Sequence, residues 1–211
     1  MSFEPSYEEQ ELLADTFVRH TGRLTARELM AAAIVGAGFA AAVAELWWAR
    51  PPHGIELIPA LLCVLALAVA TRIHIDTPLG YTPPTQLAFV PLLFTLPLAI
   101  VPLGVVLALS LAALPGILRG ERPASRLVQV PCNAWFAIGP VAVLAIAGVD
   151  AQHAGPALLV AALGAQFAVD FAISASRFAI ARGATVSSQL RDSWVYLVDA
   201  ALSGIALVVG K

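Results

Sequence analysis

Long apolar runs separated by short polar connections fill the chain from about residue 25 onward. Residues 1–24 are different. They are acidic first (Glu4, Glu8, Glu9, Glu11, Asp15) and then basic, with Arg19, Arg23 and, just beyond, Arg27. Leu12, Leu13, Phe17 and Val18 recur at helical spacing, so this segment reads as a cytoplasmic tail or as an amphipathic helix on the membrane surface. Thr25-Ala26-Arg27-Glu28 has the form of a capping box, in which the threonine oxygen and the glutamate carboxylate satisfy each other's backbone N–H groups. The first membrane helix is therefore expected from Thr25 to the pair Trp47-Trp48, whose amphipathic rings suit the membrane–water boundary. Gly36, Gly38 and the alanines around them leave a smooth face for close helix packing.

Pro51-Pro52 interrupts the chain, and a second span is expected from Ile55 to Thr71. A polar connection follows, Arg72 to Gln86, whose Pro78, Gly80, Pro83 and Pro84 impose a fixed non-helical path. The next apolar run, Leu87–Leu118, is about thirty residues long, whereas one span needs about 20. Pro91, Pro97 and Pro102 divide it. The reading is a short proline-containing helix over 85–96 and a longer one over 98–118, with one long kinked helix as the alternative. Further spans are expected over 128–149, 156–180 and 193–210. The fold class is thus an all-α, polytopic transmembrane helix bundle of about seven spans, or six on the alternative.

Composition agrees with that pattern. Hydrophobic residues make up 59% of the 211 residues and charged residues only 12%, against roughly 25% charged in soluble domains. The net charge of −2 offers no large basic field for nucleic acid. No cleavable signal peptide is read at the polar N-terminus. Positive charge is segregated. The N-terminal tail, the Arg72 connection, the Arg119–Arg126 connection and the Arg177–Arg191 connection carry nearly all of it; the connections after the third and fifth spans carry none, and the first has only Arg50. Cytoplasmic connections are the ones enriched in Lys and Arg. The alternation fits seven spans with a cytoplasmic N-terminus and Lys211 outside, and six spans would break it.

Ionisable groups at membrane depth are costly and mark candidate function. Asp170 falls in the sixth span and Asp199 in the seventh, at similar depth in the inner half of the bilayer, with Asn133 near the same level. Gln166, Asp170, Ser174 and Arg177 follow one another at three- or four-residue spacing and form one polar stripe. Either this carboxylate–amide cluster is a ligand or switch pocket, or it locks the bundle, with Arg177, Arg126 or Tyr196 pairing the aspartates. Arg72, Asp76 and Tyr81 are the candidates in the rigid connection. Glu45, Glu56, Arg50 and His53 form an outer polar rim.

Enzymatic chemistry finds no support in the sequence. His20, His53, His74 and His153 show no metal-ligand spacing, Ser110 and Ser174 have no histidine at catalytic spacing, and no phosphate-binding glycine motif occurs. Cys63 and Cys132 read as small buried hydrophobes. No cofactor or metal is expected.

Gly80-Tyr81-Thr82-Pro83-Pro84-Thr85-Gln86-Leu87-Ala88-Phe89-Val90-Pro91, Asn133-Ala134 after a basic connection, and Trp194-Val195-Tyr196-Leu197-Val198-Asp199-Ala200 resemble the N-terminal membrane regions of bacterial, often actinobacterial, signalling proteins. The resemblance covers about residues 55–210. In that family the membrane module precedes a cytoplasmic GGDEF, HD-type or histidine-kinase output domain. It implies a sensory or input module in the bacterial cytoplasmic membrane. Such a module would bind a small or lipophilic signal and act on an output domain, a signalling partner or a second copy of the chain. The family pattern continues past the last span, whereas this sequence reaches Lys211 without an output domain, so a fragment of a receptor and a stand-alone protein both remain open. A small-molecule transporter, or a substrate-binding membrane subunit resembling vitamin-uptake components, is the alternative.

Overall fold

The computed structural model describes residues 24–182 apart from positions 74, 78, 79 and 83. It is helical throughout, except for a two-stranded hairpin in one connection.

Helix α1 (Ala26–Ala49) begins where the capping box directs it. Glu28 N–H donates to Thr25 Oγ1 at 3.3 Å, and Thr25 N–H donates to Glu28 Oε2 at 2.9 Å. Helix α2 (Leu57–Ala70) follows the Pro51-Pro52 break. Strands β1 (Ile75–Thr77) and β2 (Gly80–Thr82) then pair antiparallel, with Asp76 opposite Tyr81. The fixed, non-helical path expected of this connection is thus a small hairpin. Helix α3 (Thr85–Thr95) carries Pro91, and α4 (Val101–Leu118) opens with Pro102 in its first turn. Proline is tolerated there because the first N–H groups of a helix have no internal partner.

The long-kinked-helix alternative is overturned. Backbone extends at Leu96 (ψ 146°), Pro97 follows, and residues 98–100 form a turn, so the second helix starts at Val101 rather than at Leu98. A proline cannot donate its N–H and disfavours helical backbone in the residue before it. This turn is enclosed: Leu96 and Leu98 are buried and Ala99 is fully so.

The expectation for the next helix also needs correction. It begins earlier, at Ala124, and is not one regular rod over 128–149. This helix, α5 (Ala124–Ala147), consists of a 3₁₀ turn (Ala124–Gln129), one α-turn (Val130–Asn133), a second 3₁₀ turn (Trp135–Ala137) and a regular helix (Ile138–Ala147). Pro131 and Pro140 remove two donors from the ladder, which accounts for the tightening. Helix α6 (Pro156–Arg182) is the longest, at 27 residues. Helices α4 and α5 both end in a left-handed glycine, Gly120 (φ 73°) and Gly148 (φ 76°). The next N–H turns back to a helix carbonyl in each case, Glu121 to Gly116 at 2.9 Å and Val149 to Leu144 at 3.2 Å. That geometry needs φ > 0 and favours glycine.

Helix α2 packs mainly on α3 and α4, while α5 packs most extensively on α6, and both of these pack on α1. The two groups share one core. Phe89 of α3 meets Phe136 of α5 edge-on at 5.1 Å. At the far end, Gln152 Nε2 donates to the Phe94 carbonyl at 2.7 Å and caps α3. The cross-contacts put the ends in register. Pro131 lies near Gly36, Arg50 near Ala145, and Arg177 near Asn133. Hence α1 and α5 run parallel, and α6 runs against them.

Four helices, α1, α4, α5 and α6 up to Arg177, are long and apolar enough to cross a membrane. Helices α2 and α3 are apolar but shorter, at 14 and 11 residues, or about 21 and 16 Å, against a hydrocarbon core of about 30 Å. Leu57, Ile58, Leu61, Leu62, Leu65 and Val69 stand exposed along α2. An exposed apolar row of that extent suits a lipid or protein neighbour better than water, and is compatible with a membrane protein. The stretch 193–210, read as a seventh span, lies outside the described residues, as do the N-terminal tail and Asp199.

Candidate functional site

The polar stripe meets the rest of the bundle at the junction of α1, α5 and α6. Small residues make the approach possible. A Cβ on Gly139 would stand 2.6 Å from the Ala165 carbonyl carbon and 2.8 Å from Gln166 N, so α5 and α6 touch backbone to backbone there. On the other side, α5 docks against α1. Cys132 Sγ donates to the Ala32 carbonyl at 3.3 Å and Trp135 Nε1 to the Val35 carbonyl at 3.0 Å. The Trp135 ring also meets Phe39 edge-on, 5.9 Å between centroids. Ile173 of α6 closes the small cluster of Ala32, Val35 and Cys132.

One turn beyond Ile173 along α6, the polar chemistry begins. Arg177 Nη1 donates to Asn133 Oδ1 at 2.6 Å, joining the end of α6 to the broken part of α5. Charge-assisted bonds of this kind are short and strong relative to neutral ones. A guanidinium has five N–H donors, so Arg177 keeps capacity for an anion or a carbonyl oxygen. Going up the same face, Ser174 and Asp170 are half-buried and Gln166 is buried at 4% exposure. Gln166, Asp170 and Arg177 therefore share one face of one continuous helix, and Asn133 reaches that face from α5. Asp199, the other carboxylate of the expected cluster, lies outside the described residues.

The second group of expected residues sits at the same end. Arg72 is exposed just past α2, and Asp76 and Tyr81 are register partners in the hairpin. No arrangement joins them to the α1–α5–α6 junction among the described contacts. Next to the hairpin is a residue that sequence reasoning passed over. Gln86, in the first turn of α3, is 3% exposed, and its Oε1 has no hydrogen-bond partner among the described residues. Leaving a buried acceptor unpaired costs about 1–3 kcal/mol. In sequence Gln86 was only the last polar residue of a connection; its burial depends on the packing of α3. Trp135 and Gln152 were likewise missed, because their partners are backbone carbonyls 100 and 58 residues away in the chain, respectively.

The outer-rim residues are also placed. Arg50 donates from Nη2 to the Ala145 carbonyl at 3.4 Å, beside Gly148. A cation at a helix C-terminus complements the carbonyls left without partners. Among the described residues, no group of three or more His, Cys, Asp or Glu side chains is positioned to hold a metal ion. Comparison of the chain with protein-family models, with curated proteins and with solved structures returns no match.

Proposed function

We propose that this chain is a membrane-embedded sensory or input module. It binds a small or lipophilic signal at the α1–α5–α6 junction and passes the result to a cytoplasmic output domain, a signalling partner or a second copy. The observation that carries the reading is the Asn133–Arg177 hydrogen bond. It fastens the end of α6 to a stretch of α5 held in short 3₁₀ and α-turns, and mid-helix 3₁₀ geometry often marks a hinge. A ligand that takes the spare donors of Arg177, or displaces Asn133, changes the relative stability of two packings of α6. A signal shifts such an equilibrium only by its difference in affinity for the two states. On this reading the bilayer is the resident partner and the membrane is the bacterial cytoplasmic one, as the resemblance implies; the distribution of Lys and Arg favours an N-terminus inside.

The test is a ligand screen by thermal shift on the chain in nanodiscs, repeated with Asn133→Leu and Arg177→Met. A stabilising compound should lose its effect in both variants. A shift that survives both substitutions unchanged removes the junction as the site.

A second reading, a transporter or substrate-binding membrane subunit, is favoured by Gln86. A short helix with a buried, unpaired acceptor in its first turn suits a substrate that brings a hydrogen-bond donor. Flux of a bound compound across liposomes, lost in Gln86→Leu, decides for this reading over the first.

A further inference from the structure

Charge is distributed unevenly between the two ends of the bundle. One end gathers Arg27, Arg72, Arg119, Arg122, Arg126 and Arg177, opposed by Glu28, Asp76 and Glu121. The opposite end has Arg50, already bonded to the Ala145 carbonyl, together with Glu45, Glu56 and Asp150.

Within the arginine-rich end, the connection between α4 and α5 has a particular construction. Arg119 pairs with Glu121 at 3.8 Å on the surface. Arg122 takes no such partner among the described residues. Its methylene stem lies over Gly116, with Cδ 3.6 Å from where a Cβ would stand. That leaves its guanidinium at the rim of the bundle. Arg126 follows in the first 3₁₀ turn, and this turn packs on α1, whose opening residues include exposed Arg27. Apolar side chains flank the cations directly. Leu118 is 77% exposed, Leu127 37% and Val128 38%.

We propose that this connection binds the phosphodiester headgroup of an anionic phospholipid. Arg122 is the leading contact, Arg126 and Arg27 add to the field, and Leu118, Leu127 and Val128 supply surface for the acyl chains. The pairing of guanidinium with phosphate is geometrically favourable, and basic sites at the membrane-facing ends of helices recognise anionic headgroups through it. The exposed leucines distinguish a lipid from free phosphate, because an inorganic ion gains nothing from apolar neighbours. The site centres on the connection between α4 and α5 and does not depend on the role proposed for Arg177.

The experiment uses the full chain in nanodiscs that contain phosphatidylcholine and phosphatidylglycerol, with native mass spectrometry of the lipid retained on release. Wild type should retain phosphatidylglycerol preferentially. Arg122→Gln should lower that preference about fivefold, and adding Arg126→Gln should lower it further. Arg50→Gln, at the opposite end, should leave it unchanged. Equal retention of the two lipids by wild type, or an unchanged preference in the double variant, overturns the proposal. Displacement of phosphatidylglycerol by inorganic phosphate also overturns it in favour of a simple anion site. Should the double variant fail to fold, wild type alone decides. Its preference must fall as salt is raised through the range where exposed charges are screened, and a salt-independent preference overturns the proposal.

Discussion

Gly139 shows how much a single residue decides. The α5–α6 contact is made through bare backbone, and any side chain at this position meets the Ala165 carbonyl and Gln166 N. Gly139→Ala is expected to destabilise the bundle by about 1–3 kcal/mol through overpacking, read as a lowered thermal midpoint in detergent. Gly164 provides the control. A Cβ there meets nothing within 4 Å among the described residues, so Gly164→Ala should be neutral or stabilising by up to about 1 kcal/mol through helix propensity. Equal losses in the two variants would contradict the close approach. The Asn133–Arg177 bond is a different case. Interhelical polar contacts in membranes average about 0.6 kcal/mol. Asn133→Leu should therefore barely move the midpoint, and any large change in behaviour on its loss would belong to function rather than to stability.

At the scale of elements, α1 and α5 illustrate two origins of helical structure. The start of α1 is local. The Thr25–Glu28 capping box is complete, and Thr25→Ala should cost about 1 kcal/mol, seen as faster amide exchange confined to the first turn. The course of α5 is set by tertiary contacts as well as by Pro131 and Pro140. Trp135 and Cys132 each donate to a carbonyl of α1 that already serves the helix ladder. Trp135→Phe keeps the edge-on contact with Phe39 but loses the indole N–H bond to Val35. The expected cost is about 0.5–1.5 kcal/mol, measurable by denaturation of the two proteins side by side. The apolar periods and prolines located the helices near their observed positions. They did not reveal that the turn between α3 and α4 is buried, because that depends on which helices pack around Leu96 and Leu98 in the shared core.

For the molecule as a whole, the segregation of arginine predicts an orientation that can be measured. With the arginine-rich end in the cytoplasm, a cysteine placed at Glu121 should react with an impermeant thiol reagent only in inside-out vesicles. One placed at Asp150 should react only in right-side-out vesicles. Labelling of both from one side would overturn the topology. The parallel course of α1 and α5 and the antiparallel course of α6 already require the Glu121 and Asp150 connections to lie at opposite ends.

The sequence by itself determined the membrane-compatible character of the chain, the helical class, the start of α1 and the breaks at Pro51-Pro52 and Pro97. Each follows from local chemistry: apolar content, a cap, or a missing N–H. It also placed Gln166, Asp170 and Arg177 on one face, since helical spacing alone fixes that. Only the tertiary structure decided that Asn133 meets Arg177, that Gln86 is buried with an unpaired acceptor, and that α5 is a sequence of short turns rather than a rod. These depend on which helices become neighbours. Apolar helices carry little pairing information in composition, because lipid and protein are similarly apolar surroundings for them. The choice falls to a few small residues and polar groups whose partners are far away along the chain.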